Sequence, residues 1–157
     1  MGFSTEVERL MIASGWREDR CIDISEYERA VISSGNELCA PVCEFLRRYG
    51  DLEIETVIGD SGLNTLISDV IGRRQVSHLS PDLNLTLYSI GVCWCENVDL
   101  HMDLSGRVYR NMQMTSQNID GIDLYRIAAS GEEALEILIM EDEFEIARHG
   151  EWITHWG

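Results

Sequence analysis

The clearest pattern in the chain is a two-residue alternation of apolar and polar positions between residues 98 and 112. Apolar Val98, Leu100, Met102 and Leu104 alternate with polar Asp99, His101 and Asp103. This periodicity predicts a strand with one buried face and one solvent-exposed face. The glycine of Leu104-Ser105-Gly106 favours a three-residue hairpin loop, after which residues 107–112 return as the partner strand.

The length of this loop determines which residues face each other in the hairpin. The predicted register pairs Asp103 with Arg107, Met102 with Val108, His101 with Tyr109 and Leu100 with Arg110. Every pairing except the last places a polar residue opposite a polar one or an apolar residue opposite an apolar one. This match supports the three-residue loop over a two-residue one. We expect His101 on the solvent-exposed face, together with a cross-strand pair between Asp103 and Arg107.

Three short helices are predicted before the first strand, because apolar residues recur at helical spacing between capping and stop signals. The expected start and stop residues are Thr5 with Glu8 and Gly15 for the first helix (residues 5–14), Ser25 with Glu28 and Gly35 for the second, and Pro41 and Gly50 for the third. A strand with an acidic outer face, formed by Glu53 and Glu55, is expected to follow the third helix.

The middle of the chain gives weaker signals. The spacing of Leu63, Leu66, Ile67 and Val70 suits a short helix. Pro81-Asp82 marks a turn, and residues 85–94 suggest two strands separated near Ser89-Ile90-Gly91, before a turn at Glu96-Asn97.

The C-terminal region predicts one clear helix and an acidic extension. Ser130 and Glu133 form a capping box ahead of apolar residues at helical spacing. Residues 141–157 are expected to continue this helix or to form a separate tail helix, and a turn is expected at Asp120-Gly121. The whole chain, 1–157, is predicted to be a single α+β domain with N-terminal helices, a mostly antiparallel central sheet and a C-terminal helix.

Charge narrows the range of functions. The chain has 28 acidic and 12 basic residues, a net charge of −16, and all the basic residues are arginines. This charge disfavours nucleic acids and anionic membranes as partners and favours a basic protein, although solubility alone also accounts for it. The chain lacks a signal-like or membrane-length apolar run, and its five cysteines are an odd number, so a cytoplasmic protein with reduced thiols is expected.

Candidates for catalysis and metal binding are weak. Gly59-Asp60-Ser61-Gly62 resembles the nucleophile segment of a trypsin-like protease, but all four histidines follow Ser61 and the chain is too short for two barrels. Cys39, Cys43, Cys93 and Cys95 match zinc-knuckle spacing poorly, so they are interpreted as small apolar residues. His101 with Asp99 and Asp103 lacks a convergent second group, and Trp152 with Trp156 suits helix packing. Neither a cofactor nor a metal is predicted.

Four separated segments together resemble the third subgroup of bacterial immunity proteins in the SUKH superfamily. The matching residues are Gly15-Trp16 with Arg20 and Ile22-Asp23-Ile24, Phe45-Leu46 with Tyr49-Gly50 and Leu52, Met102-Asp103 with Gly106-Arg107-Val108-Tyr109, and Glu132-Glu133-Ala134-Leu135. The order and spacing fit over about residues 9–139, with the acidic residues 141–157 as an extension. Two positions depart from the family pattern: Asp51 replaces the second of two glycines, and Ser89 stands where a proline is often found.

The resemblance implies a non-enzymatic cytoplasmic protein that binds and neutralises a toxin domain, often a nuclease. The motif residues are interpreted as structural, with Trp16, Phe45 and Leu46 filling the core and Gly50 and Gly106 shaping turns. From charge we expect the toxin to contact the acidic residues Asp51, Glu53, Glu55, Glu96 and Asp99. The alternatives are an intracellular adaptor of the same fold and, from a third class, a hydrolase that uses Ser61.

Overall fold

Four helices and eight strands are placed by the computed structural model, which describes residues 2–57, 63–67, 76–78, 84–93, 98–112, 123–140 and 151–152. The helices are α1 (Thr5–Ala13), α2 (Ser25–Ser33), α3 (Ala40–Tyr49) and α4 (Gly131–Met140). The strands are β1 (Glu53–Val57), β2 (Leu63–Ile67), β3 (Val76–His78), β4 (Thr86–Cys93), β5 (Val98–Met102), β6 (Val108–Met112), β7 (Asp123–Ala128) and β8 (Glu151–Trp152). The predicted α+β class is confirmed.

The first two helices begin differently from the prediction. The cap of α1 is Ser4, whose Oγ accepts the N–H of Val7 at 3.4 Å, so the assignment of Thr5 as the cap is wrong. Ser25 is the first helical residue of α2 rather than its cap, and its N–H donates to Oδ1 of Asp23 at 2.9 Å. In both cases a neighbouring polar side chain satisfies the free amide of the first turn.

The other predicted helix ends agree with the structure. Pro41 lies in the first turn of α3, and the helix ends at Gly50. The Oγ of Ser130 accepts the N–H of Glu133 at 3.2 Å, while the Glu133 carboxylate accepts the N–H of Ala129 at 2.8 Å. This reciprocal arrangement at the start of α4 follows the capping-box pattern.

The sheet is antiparallel throughout its described pairings, with strand order β1-β2-β4-β5-β6-β7-β8. Strand β3 pairs with the first half of β4, on the side where β2 pairs with its end. The helix expected around Leu63 is wrong, because residues 63–67 form β2 and pair with β1 from Glu53↔Ile67 to Val57↔Leu63. Tertiary pairing has overridden a local spacing that also suited a helix.

The two strands expected between residues 85 and 94 are one strand with a bulge. In β4 the register against β5 shifts between Ser89 and Gly91. A bulge disrupts the hydrogen-bond ladder locally and is a site where proline is tolerated in a sheet, so the proline that the resemblance implies at the position of Ser89 would fit this geometry. The strands β3, β7 and β8 were not predicted, and Trp152 lies in β8 rather than in a tail helix.

The hairpin of β5 and β6 has the predicted loop and register. Its pairs are Leu100↔Arg110, His101↔Tyr109 and Met102↔Val108. The N–H of Asp103 donates to the carbonyl of Arg107 at 3.0 Å. Gly106 has φ of +87°, the left-handed conformation for which the glycine was required.

Both faces of the sheet are buried at its centre. The helices pack on one face, where the apolar core includes Tyr88, Leu100, Met102, Val108 and Tyr125. A smaller cluster of Leu87, Tyr109 and Leu124 lies on the opposite face. The expectation of a solvent-exposed hairpin face is therefore wrong: His101 and Asp103 are 6% and 5% exposed. Arg110 is fully buried as well.

The regions predicted as turns at residues 81–82, 96–97 and 120–121, together with Ser61, Cys95, Trp156 and residues 141–150, lie outside the described residues. Within the described part of the chain, no helix has the length and apolar character needed to cross a membrane.

Candidate partner-binding surfaces

Two of the five acidic candidates lie in one row across the sheet. Glu53 in β1 is opposite Ile67, Ile67 is opposite Val92, and Val92 is opposite Asp99. Residues directly opposite each other on paired strands project to the same face, so Glu53 and Asp99 share the face away from the helices. They are separated by three strand spacings, roughly 14 Å. We refer to Glu53 and Asp99 as the acidic row.

The other three candidates are distributed around this row. Asp51 is exposed and lies two residues before Glu53, where the chain leaves α3. Glu55 lies on β1 opposite Thr65. Glu96 is outside the described residues. Strand β1 ends the described strand order, so the acidic candidates 51–55 follow an edge of the sheet.

The link between α3 and β1 shows why glycine suits both positions of the double-glycine pattern. Gly50 has an ordinary φ of −58°, but a Cβ atom there would lie 2.4 Å from the carbonyl oxygen of Leu46. Asp51 has φ of +60°, the left-handed conformation that glycine adopts without penalty. Gly50 is therefore needed for a close approach, whereas Asp51 occupies a backbone conformation better suited to glycine.

We expect Asp51→Gly to be more stable than Asp51→Ala by about 1 kcal/mol, because a Cβ in the left-handed region is unfavourable. Both variants remove the same charge near Arg20, so the comparison isolates the backbone conformation. Chemical denaturation of the two variants measures the difference. An equally stable or more stable alanine variant would contradict this explanation.

A buried polar network holds the hairpin loop. Oδ1 of Asp103 accepts the N–H groups of Ser105 at 2.8 Å and Arg107 at 3.0 Å. Oδ2 accepts the hydroxyl of Tyr109 at 2.8 Å. Burial, and then this carboxylate, raise the pKa of Tyr109 to about 12. The predicted cross-strand pair between Asp103 and Arg107 is therefore made by the backbone N–H of Arg107, because the carboxylate is buried beneath the loop.

His101 lies beside this network, and neither of its ring nitrogens has a hydrogen-bond partner among the described residues. It faces Ser89 on β4 and Tyr109 on β6. Burial lowers the pKa of His101 to about 4, against a smaller opposing effect of Asp99. The imidazole is therefore neutral at physiological pH.

The four motif segments meet at a groove on the helix side of the molecule. Its volume is about 560 Å³, and the segments contribute Arg20, Phe45, Met102, Gly106 and Glu132. Arg47, Arg48 and Glu44 of α3 also line it. Sequence reasoning did not identify this groove, since its residues come from elements that only the fold brings together.

The groove is shaped by contacts at the ends of two helices. The N–H of Ile22 donates to the carbonyl of Arg47 at 2.9 Å, and Nη1 of Arg20 donates to the carbonyl of Arg48 at 3.0 Å. These bonds satisfy carbonyls at the C-terminus of α3 that have no partner within the helix. The hydroxyl of Tyr49 donates to Oε1 of Glu132 at 3.3 Å, which connects α3 to the start of α4.

Aromatic residues pack around Tyr49 of α3. Trp16 stacks on Tyr49 with ring centroids 6.3 Å apart, and Phe45 lies 5.1 Å from Tyr49. Phe3 contacts both Trp16 and Tyr49 in edge-on geometry. Trp16, Phe45 and Leu46 are all buried. These positions place the motif aromatics in the core rather than on a contact surface.

The thiols that the structure describes do not form a metal site. Cys39 and Cys43 are buried and unpaired by disulfide, and burial raises the pKa of both thiols. Cys21 is free and exposed at the groove. Among the described residues, no group of three or more His, Cys, Asp or Glu side chains is placed to hold a metal ion.

Comparison with known proteins identifies one match. Residues 3–141 match the family model described as SUKH-3 immunity protein. This range includes all four motif segments, the hairpin and α4, and it ends where the acidic extension begins. No curated protein and no solved structure matches the chain.

Proposed function

Since the chain belongs to the SUKH-3 immunity protein family, we propose that it binds a cognate toxin domain in the cytoplasm and neutralises it by covering its active surface. Immunity to a toxin in general follows from the family; the partner and the means of neutralisation are our proposal. The chain acts by binding alone, without a cofactor or a catalytic residue of its own.

The acidic row supports a toxin with a basic surface. Glu53 is exposed and Asp99 is half-buried on the same face of the sheet, and Asp51 and Glu55 follow the same edge. Acidic residues arranged along an edge complement the basic surface with which a nuclease binds its substrate. The net charge of −16 also accelerates encounter with such a partner.

Survival on co-expression tests the proposed function. Cells that express the toxic domain encoded immediately upstream of this gene should survive when the chain is co-expressed, and the two proteins should co-purify. Cell death together with a failure to co-purify would contradict neutralisation by binding. Co-purification without any toxicity to rescue would favour the adaptor function.

Charge reversal tests the contact surface separately. The double variant Glu53→Arg with Glu55→Arg should bind the toxin roughly tenfold or more weakly, because like charges then face each other in the complex. Glu18→Arg with Glu26→Arg makes the same change in net charge at exposed positions in the N-terminal region and should lower affinity far less. Equal affinities for the two double variants, measured by calorimetry, would remove Glu53 and Glu55 of β1 from the interface.

A further inference from the structure

The groove where the motif segments meet brings together three arginines on a strongly acidic chain. Arg20, Arg47 and Arg48 line it, which is three of the 12 basic residues in a chain of net charge −16. Its described acidic residues are Glu44 and Glu132. The described lining therefore carries a small positive excess on a strongly negative protein.

The arginines are held in place but are only partly neutralised by partners. Arg47 is half-exposed and its Nη2 is 3.8 Å from the carboxylate of Glu28, which is a loose ion pair. The guanidinium of Arg48 lies 5.5 Å from the ring centroid of Tyr49. Arg20 is fixed by its bond to the Arg48 carbonyl, and partial burial lowers its pKa, with Asp51 opposing this effect. Partly exposed guanidinium groups in fixed positions are suited to carboxylates.

Backbone donors add to this positive end of the groove. Gly131 and Glu132, the first two residues of α4, line it, and their N–H groups have no acceptor in the described part of the chain. Helix N-termini attract negative charge. A side chain at residue 131 would collide with Phe45, since a Cβ there would lie 2.3 Å from Cδ2, so glycine keeps the backbone close to the ring and the groove open.

We propose that this groove binds an acidic segment of a partner protein through one or two of its carboxylates. The volume of about 560 Å³ lies within the range of ligand-binding pockets, roughly 300–1,000 Å³. A nucleic acid is a poor occupant, because phosphates recur along its whole strand and those outside the groove meet the acidic surface, whereas a flexible peptide can place one or two carboxylates in the groove and keep the others in solvent. A short acidic loop presents its charge only locally, within the roughly 8 Å over which charges interact at physiological salt. The inference is independent of the toxin-binding role of the acidic row.

A labelled hexaglutamate peptide provides the test, with hexaglutamine as the uncharged control. In 150 mM salt, the full-length chain should bind hexaglutamate at least tenfold more tightly than hexaglutamine in fluorescence anisotropy. Arg47→Gln with Arg48→Gln should weaken hexaglutamate binding at least fivefold. Arg9→Gln with Arg29→Gln removes the same charge from exposed positions on α1 and α2 and should change binding less than twofold.

The exposed thiol of Cys21 gives a second measurement on the unaltered chain. Saturating hexaglutamate should slow alkylation of Cys21 at least threefold, as followed by mass spectrometry of that peptide, and hexaglutamine should not. Absence of hexaglutamate binding, or equal weakening by both double variants, would overturn the proposal. Equal or tighter binding of a six-nucleotide DNA or of inorganic phosphate would also overturn the proposal. So would a chain that self-associates through the groove, with the association lost in Arg47→Gln with Arg48→Gln, and that does not bind hexaglutamate.

Discussion

Replacing Asp103 with alanine is expected to lower the free energy of unfolding by about 3 kcal/mol. The carboxylate is 5% exposed and accepts three hydrogen bonds, from the N–H groups of Ser105 and Arg107 and from the hydroxyl of Tyr109. Alanine leaves these donors without their acceptor inside a closed loop, where water replaces it poorly. Urea denaturation at neutral pH measures the loss.

Two further variants separate the parts of this network. Asp103→Asn keeps an oxygen for the loop amides and should lose less stability than the alanine variant. Tyr109→Phe removes one hydrogen bond and should lose about 1 kcal/mol. A double-mutant cycle between Asp103→Ala and Tyr109→Phe should give a coupling energy of about 1 kcal/mol. A loss below about 1 kcal/mol for Asp103→Ala alone would show that the loop is held by other contacts.

Acid should destabilise the protein through His101. The pKa of this imidazole is about 4 in the folded chain, below the ordinary value of 6.5 expected after unfolding. At a pH between these two pKa values, His101 is protonated in the unfolded chain and neutral in the folded chain. The free energy of unfolding therefore falls as the pH falls below 6.5. At pH 4.5 the expected loss from this group is about 2.5 kcal/mol, and above about pH 7.5 the loss is absent.

The variant His101→Leu should remove this part of the acid sensitivity. At pH 7.5 it should be at least as stable as the unaltered chain, because the two buried ring nitrogens have no hydrogen-bond partner in the part of the chain that the structure describes. At pH 4.5 it should be more stable by about 2.5 kcal/mol. Asp99→Asn is the matched control, since it retains the imidazole, and its loss at pH 4.5 should stay within about 0.5 kcal/mol of the loss in the unaltered chain. Parallel pH profiles for His101→Leu and the unaltered chain would contradict this role.

The parts of the fold that were predictable carry strong local signals. The hairpin register followed from polar alternation and one loop glycine, and α3 and α4 followed from helical spacing with clear capping residues. Strand β2 was missed because its apolar spacing suits a helix until β1 is present to pair with it. The buried state of His101 and Asp103 was also missed, since alternation reports a difference between two faces and not whether the polar face meets solvent.

The candidate surfaces were predictable to different degrees. Acidic residues along β1 were visible as an alternating pattern, and Glu53 is exposed there as expected. Its alignment with Asp99 depends on pairings through β2 and β4 that the sequence did not reveal. The arginine-lined groove was not predicted, because Arg20, Arg47 and Glu132 lie far apart in the chain. The structure shows that each motif segment contributes at least one residue to it, and this proximity is absent from the sequence.

Titration of the toxin's own activity tests neutralisation by binding most directly. Purified chain is added in increasing amounts to the toxic domain encoded beside its gene, and residual toxin activity is measured. Binding that covers the active surface predicts a linear loss of activity that reaches completion at one chain per toxin. Full activity at a molar excess of the chain, or complete loss at a small fraction of one equivalent, would contradict it.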